Sequence, residues 1–225
     1  MNGYPVILTG LRLGRCVVVG GGAIATRKIA GLLDAGLCPV VISPAFSPRI
    51  ETWAQQERVM RVQRPYSHGD LAGASLAIAA SSSPDVNRAV ALEAQACSIP
   101  VNVVDEPQLS TFTVPAVLRR GALGIAVWTN GQSPAVARHV RDHIAATISD
   151  RYGDLLAVVA ELRPRILCGV PRERQGALWH ALLAGDVFER LCCHGIEAAR
   201  AHAAAIVAQY EISDLSNPGP AGTEG

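Results

Sequence analysis

The stretch VVVGGGAIATRKIAGLL, residues 17–33, joins an apolar run, three glycines and an amphipathic segment. The run has no polar alternation, which favours a strand covered on both faces. Ile29, Leu32 and Leu33 share one face of the segment that follows, as in a helix packed on a sheet. The stretch therefore predicts a strand, a tight glycine turn and a helix.

The glycine turn has two explanations, a nucleotide-binding loop or a plain structural turn. In the first, Gly20 permits the turn, Gly22 lets the backbone approach a pyrophosphate, and Ala25 lets helix and strand pack closely. The N-terminus of the helix supplies N–H donors and partial positive charge. A position directly after an apolar strand and before an amphipathic helix favours nucleotide binding.

The ribose-binding acid that usually completes this pattern is missing. Ser43 and Pro44 stand where an Asp or Glu should end the second strand. The hydroxyl of Ser43 and the neighbouring backbone are the alternatives for contacting the ribose. The choice between NAD and NADP does not follow from the pattern.

Further short runs predict the rest of a sheet. Strands are expected at residues 39–43, 58–63, 75–81 and 99–105, with helical patterns between them. Ser83, Pro84 and Asp85 form a cap, a first-turn proline and a first-turn carboxylate for one of these helices. Residues 1–113 are therefore predicted to form a Rossmann-like, doubly wound α/β domain with a parallel sheet.

The pattern changes after residue 113. Residues 114–150 predict a β-hairpin and a helix starting near Ser133 and Pro134, a possible dimerisation module. Residues 151–212 are rich in Ala, Leu and Arg with helical periodicity, punctuated at Pro164, Pro171 and Gly185, and predict a small helical domain. Residues 213–225 are polar and rich in Pro and Gly, and are expected to be disordered.

Composition limits the class of protein. The chain has 225 residues, a net charge of +1 and 17% charged residues, which argues against a nucleic-acid partner. No cationic start precedes the first apolar run, and no apolar run reaches the roughly 18 residues of a membrane span. Six cysteines without C-x-x-C spacing indicate reduced, mostly buried thiols. We expect a cytoplasmic protein.

Asp105 ends the fifth predicted strand, at the sheet edge where ligands bind in open α/β folds. A carboxylate there could exchange a proton beside a bound cofactor. Taken alone, an Asp that caps a turn before Glu106 and Pro107 is the better explanation.

Two groups of residues could be taken for metal ligands. His139 and His143 are four apart on a predicted helix, and Cys192, Cys193 and His194 are adjacent in sequence. The histidines have no third ligand in sequence reach, and adjacent side chains on a helix point in different directions. We therefore expect solvated histidines and buried thiols, and no metal site.

Several longer segments occur in a characteristic order and spacing. They are YPVILTGLRLGRCVVVGGGAIATRKIAGLLDAG, LAIAASSSPDVNRAV, PVNVVDEPQLSTFTVPAVLRRGALGIAVWTNGQSPAVARHVRDHI and YGDLLAVVAELR. In these segments the chain resembles the precorrin-2 dehydrogenase and sirohydrochlorin ferrochelatase family, the dehydrogenase type of siroheme synthase. The resemblance covers roughly residues 3–165, and several motifs agreeing in order carry more weight than a glycine pattern alone.

The resemblance implies an NAD-dependent oxidation of precorrin-2, an octacarboxylate tetrapyrrole, to sirohydrochlorin on the way to siroheme or cobalamin. Some members also insert ferrous or cobaltous ion, which is then a substrate. It implies a homodimer joined through residues 114–150 and allows substrate transfer from a uroporphyrinogen methyltransferase. Asp105 matches the catalytic aspartate. The implied cofactor contacts are Gly20, Gly22, Ala23, Ile24, Ser43, Pro44, Ala80 and Ser81.

An octacarboxylate substrate needs cationic partners, and Arg pairs with carboxylates in bidentate fashion. The candidates flank the hairpin and its helix: Arg119, Arg120, Arg138 and Arg141. Each is as readily explained as a solvated surface residue. Trp128 and Thr129 depart from the small residues usual in the family at this turn, so contacts there are not carried over.

Two alternatives remain at the level of sequence. One is a chelatase whose glycine loop no longer binds NAD productively. The other is a non-catalytic nucleotide-sensing Rossmann module, which would bind nucleotide without turnover. The sensing module leaves Asp105 and the arginines unexplained.

Overall fold

The computed structural model describes residues 3–11 and 14–211. Contacts divide the chain into two compact units, Met1–Val114 and Pro115–Gly225. The finer division of the second unit at residue 150 stays a prediction. The tail expected to be disordered, residues 213–225, lies outside the described residues.

The first unit is built on a five-stranded parallel sheet in the order β3-β2-β1-β4-β5. The strands are β1 (Arg15–Val19), β2 (Val40–Ile42), β3 (Met60–Val62), β4 (Ala74–Ala79) and β5 (Val101–Val103). The predicted Rossmann-like α/β fold is confirmed, and each of the five strands lies within or beside its predicted run.

Three helices cover this sheet: α1 (Ala23–Asp34), α2 (Pro48–Gln55) and α3 (Pro84–Ala96). The predicted cap of α3 is confirmed, since the Ser83 hydroxyl accepts from the Val86 N–H. Helix α2 lies between two predicted strands, and its start, which was not predicted, has the same form: Ser47 caps it and Pro48 is its first residue.

Strand side chains alternate between two apolar layers. Val17 and Val19 face a core with the buried residues of α3, whereas Val18 packs with the buried residues of α1 and α2. Burying an aliphatic side chain of this size stabilises the fold by about 1.5–3 kcal/mol. Both faces of the sheet are therefore covered, as its continuous apolar strands require.

A buried carboxylate organises the segment between β3 and β4. Glu93 on α3 is 4% exposed and accepts hydrogen bonds from the Tyr66 hydroxyl and from the backbone N–H groups of Gly69 (2.9 Å) and Leu71 (2.8 Å). His68 Nδ1 lies 3.3 Å from the same carboxylate. Burial raises the pKa of Glu93, but the hydrogen bonds outweigh burial and hold it below its usual value.

The second unit begins with an antiparallel hairpin of β6 (Ala116–Arg120) and β7 (Leu123–Val127), as predicted. Helix α4 (Pro134–Thr147) follows, capped by the Ser133 hydroxyl, which accepts from the Val136 N–H at 3.2 Å. Four more helices follow among the described residues of this unit: α5 (Arg151–Gly169), α6 (Arg172–Leu183), α7 (Asp186–His194) and α8 (Ile196–Tyr210). Pro164 lies inside α5 instead of ending a helix there.

The prediction of mostly buried thiols is wrong. Only Cys16 is buried, and burial raises the pKa of its thiol, whereas the other five cysteines are exposed. The reason is position: Cys97 follows the last residue of α3, and Cys168, Cys192 and Cys193 lie in the last turns of helices. Apolar sequence neighbours therefore do not imply a buried thiol.

Within the described residues, no helix is long and apolar enough to cross a membrane.

Candidate active site

Four strands of the first unit end at one level. Val19 pairs with Ile42 and with Ala79, and Ala79 pairs with Val103. The segments that follow β2, β1, β4 and β5 therefore lie side by side at the carboxyl edge of the sheet. Strands β2 and β4 flank β1, so the chain order reverses there, and ligands bind at such a point in open α/β folds.

Each glycine after β1 meets different surroundings. Gly20 has φ +126°, and a Cβ there would lie 2.2 Å from the Ala80 carbonyl oxygen. A Cβ on Gly21 would lie 1.9 Å from the Ala45 carbonyl oxygen, a restriction that the G-x-G-x-x-A pattern did not predict. A Cβ on Gly22 would meet nothing within 4 Å. Gly20 and Gly21 are therefore needed by the fold, whereas Gly22 leaves space beside the helix.

The N-terminus of α1 is open to a ligand. Gly22 gives no side-chain cap, and the first turn carries no acidic residue. Within the described residues, the N–H groups of Ala23 and Ile24 donate to no other group, and both residues are exposed. Free N–H donors and the helix dipole suit a phosphate group, while Ala25 is fully buried against the sheet as predicted. The geometry fits a dinucleotide pyrophosphate.

The segment after β2 packs against this loop. The Ser43 side chain is buried, and its hydroxyl donates to the Ala45 carbonyl at 2.7 Å. Its proton is therefore used locally, which leaves acceptor capacity and backbone groups for a ribose. Pro44 is exposed at the same edge. The Gly21 carbonyl accepts from the Ser47 N–H at 2.8 Å, which holds the two loops together.

The segment after β4 is fixed by a side chain that the sequence did not reveal. Asn87 of α3 is buried, accepts from the Ser81 N–H at 2.9 Å and donates to the Ser81 carbonyl at 3.0 Å. Ala80 supplies the carbonyl that lies against Gly20. The structure thus brings the predicted cofactor residues of three loops to one edge, and their roles in binding stay predictions.

Asp105 stands at this edge, two residues beyond β5. Its backbone has φ +61°, a left-handed conformation that Asp tolerates better than most residues, and its side chain is exposed. Its carboxylate makes no hydrogen bond or ion pair with the rest of the described chain. The side chain that bonds the backbone of this turn is Ser110. Its hydroxyl accepts from the Val103 N–H and lies within hydrogen-bond distance of the carbonyl oxygens of Val103 and Glu106. The turn-cap explanation is therefore not supported.

One further charged residue lies close to this edge and was missed. Lys28 is one helical turn beyond Ile24 on α1, and its ammonium donates to Asn102 Oδ1 at 2.8 Å. Burial most of all, and then the charge of Arg27, lower the pKa of Lys28, while the charge of Asp105 raises it. The partner is 74 positions away in the chain, so no local pattern signals the contact.

The four candidate arginines belong to the second unit and differ in their contacts. Arg120 donates to the carbonyls of Ile148 (3.1 Å) and Ala145 (3.0 Å), which places its guanidinium at the end of α4. Arg141 pairs with its neighbour Asp142 at 2.6 Å. Arg119 and Arg138 are exposed, and neither guanidinium has a partner among residues 3–11 and 14–211. The role of all four in binding a substrate stays a prediction.

The possible metal ligands do not form a site within the described residues, where no three His, Cys, Asp or Glu side chains come together. His139 and His143 are exposed on α4. Cys192 and Cys193 are exposed as well, which corrects their prediction as buried thiols.

Comparison with known proteins agrees with this geometry. Residues 7–116 match a family model of NAD(P)-binding domains, and residues 120–147 match one described as sirohaem biosynthesis protein central. A siroheme synthase of Methylobacillus flagellatus is 38% identical over 201 residues, which cover 89% of this chain and 43% of the relative. Over most of its length the chain is similar to siroheme synthases. It spans less than half the length of the curated relatives it matches.

Two further relatives extend the comparison. A siroheme synthase of Pseudomonas putida is 38% identical over 200 residues, covering 88% of this chain and 43% of that relative. The solved structure of SirC, precorrin-2 dehydrogenase, matches with a TM-score of 0.72 and 23% identity, covering 92% of this chain and 100% of that one. This structural likeness supports the fold described above.

Proposed function

We propose that this chain is an NAD-dependent dehydrogenase that oxidises precorrin-2 to sirohydrochlorin in siroheme or cobalamin synthesis. The observation that carries the proposal is the edge of the sheet, where an exposed, unpartnered Asp105 stands beside a glycine loop with free N–H donors. The siroheme synthases that the chain resembles support the choice of substrate.

The chemistry divides between cofactor and protein. Bound NAD supplies a hydride acceptor. The dehydrogenation removes two hydrogens from the tetrapyrrole, one as the hydride and one as a proton, and the Asp105 carboxylate takes the proton. Gly22, Ala23 and Ile24 bind the pyrophosphate at the start of α1, and the loops at Ser43 and Ala80 border the site.

The acidic substrate and the assembly complete the proposal. Arg119 and Arg138 are the arginines available to bind its carboxylates, because Arg120 and Arg141 are engaged within the second unit. Exposed apolar side chains support a homodimer joined through residues 114–150: Val117 on the hairpin, Val136 on α4 and Trp128 in the connection between them. We place the enzyme in the cytoplasm, where a uroporphyrinogen methyltransferase could hand over its product.

The test is an anaerobic assay with precorrin-2 made in situ and added NAD. NADH formation and the sirohydrochlorin spectrum are followed for wild type, Asp105→Asn and the neighbouring control Glu106→Gln. Asn tolerates the left-handed backbone at this position, so the variant removes the carboxylate with little strain. We expect turnover by wild type and Glu106→Gln, and a fall of about 100-fold or more in Asp105→Asn.

Other outcomes separate the alternatives. Wild type that binds NAD but forms no NADH would overturn the dehydrogenase and favour the nucleotide-sensing module. Ferrous or cobaltous ion added to supplied sirohydrochlorin measures chelatase activity. Metal insertion above the uncatalysed rate, without any NADH formation in the first assay, would favour a chelatase alone.

A further inference from the structure

Lys28 differs from every other basic side chain of this sequence in the chemistry of its charged group. The sequence holds 20 lysine and arginine residues, and Lys28 is the only lysine among them. An ammonium is a compact charge with three donors, whereas a guanidinium is a planar fork with five. The other members of this set of 20 are all arginines, and the one lysine lies on α1, one turn beyond Ile24, where it contacts Asn102 of β5.

A buried amide fixes the position of this ammonium. Asn102 is the central residue of β5, is 7% exposed and pairs with Ile78 on the face of the sheet that α1 covers. Its Oδ1 accepts from Lys28 at 2.8 Å, and its Nδ2 donates to the Phe112 carbonyl at 3.1 Å. The oxygen and the nitrogen of this amide are therefore both hydrogen-bonded, and Asn102 of β5 links α1 to the segment around Phe112.

The charge of Lys28 is only partly compensated. It forms no ion pair within the described part of the chain, and it is partly buried. The charged groups that act on it are Arg27 of its own helix and Asp105 of the loop after β5. Asp105 lies three residues beyond Asn102 in the chain and is the carboxylate whose charge acts on this ammonium.

We propose that Lys28 is a positioning residue for Asp105, with its ammonium anchored on Asn102 and attracting the carboxylate toward the edge where the cofactor binds. The electrostatic pairing is a property of the free protein. The catalytic consequence rests on the proposed function: loss of the ammonium lets the carboxylate take other directions, which slows proton transfer without weakening NAD binding.

The pairing is measured first, without substrate or cofactor. Because the chain has one lysine, labelling with 13C,15N-lysine gives a single side-chain ammonium whose titration NMR follows directly. We expect Asp105→Asn to lower the pKa of Lys28, because it removes a negative charge that raises it, and Arg27→Met to raise the pKa. The control Glu106→Gln should leave it unchanged. An equal pKa of Lys28 in wild type and Asp105→Asn would overturn the proposal.

The catalytic consequence is measured as a double-mutant cycle. Lys28→Met should lower kcat about tenfold with an unchanged Kd for NAD, and Lys28→Arg should restore part of the loss. In an Asp105→Asn background, Lys28→Met should change kcat less than twofold, because the group through which it acts is absent. A loss of equal size in both backgrounds would show that Lys28 acts independently and would refute the positioning role.

The two experiments fail separately. Absence of NADH formation in wild type counts against the proposed dehydrogenase, whereas the NMR titration still decides whether Lys28 and Asp105 are paired. Thermal unfolding of Lys28→Met gives the structural effect of leaving Asn102 Oδ1 without its donor. Arg27→Met is the matched activity control, since it removes a positive charge from the adjacent residue of α1, and its kcat should stay near that of wild type.

Discussion

Replacing Glu93 should destabilise the first unit more than any surface change. In Glu93→Ala, the Tyr66 hydroxyl and the N–H groups of Gly69 and Leu71 lose a charged acceptor. Each such hydrogen bond contributes about 1.5–3 kcal/mol, but the three act on one group and water can replace part of the loss. We therefore expect the free energy of unfolding to fall by about 3–5 kcal/mol, near the upper end for single substitutions.

The assay is urea unfolding followed by the fluorescence of Trp53. Trp53 is buried in the first unit, and Trp128→Phe with Trp179→Phe removes the signals of the second. Glu93→Gln keeps one acceptor oxygen and should lose about half as much. Glu51→Ala is the matched control, because its ion pair with Arg61 is largely exposed and contributes at most about 1 kcal/mol. A loss below about 1 kcal/mol in Glu93→Ala would refute the assigned role of this carboxylate.

Three further outcomes are expected. Gly20→Ala should destabilise the protein and abolish NAD binding, because its Cβ would collide with the Ala80 carbonyl. Gly22→Ala should weaken NAD binding at an unchanged Tm, because its Cβ meets no other atom of the described chain, and a lowered Tm would contradict this. Arg120→Ala should lower the free energy of unfolding of the second unit by about 2 kcal/mol, because two hydrogen bonds to carbonyls are lost, without raising KM for the tetrapyrrole. Thermal unfolding and steady-state kinetics check this, and a higher KM at unchanged Tm would show that Arg120 binds substrate instead. The pKa of Glu93 is lower in the folded state, so its stabilisation is complete above about pH 4.5 and lost as pH falls through the folded-state value. The difference in unfolding free energy between wild type and Glu93→Gln should therefore shrink on acidification, and a constant difference down to about pH 3 would contradict the shift.

Local patterns predicted the elements of the fold because each pattern needs only a few adjacent residues. Apolar runs located the strands, and Ser83 with Pro84 located the start of α3. Helix α2 carries the same signal at Ser47 and Pro48 and could have been found by it. The glycine pattern predicted the open start of α1, although the need for Gly21 depends on Ala45, which only the folded chain brings near.

The supporting residues of the site could not be predicted in this way. Asn87, Glu93 and Asn102 look like ordinary polar positions in the sequence, yet all three are buried and hydrogen-bonded. Their partners are set by the packing of helices on the sheet, not by spacing along the chain. Arg120 is a related case, because a cation beside a hairpin suggests a ligand, and the sequence did not reveal that its guanidinium donates to carbonyls at the end of α4.

The solitary lysine also gives α1 a single cleavage site for a selective protease. An endoproteinase specific for lysine has one bond to cut in this sequence, between Lys28 and Ile29. Ile29 is fully buried in the middle of α1, so the bond is cleaved only when that helix opens. The rate of cutting therefore reports local opening of α1 in the intact protein, and a decrease of this rate with added NAD would show that the cofactor stabilises this helix.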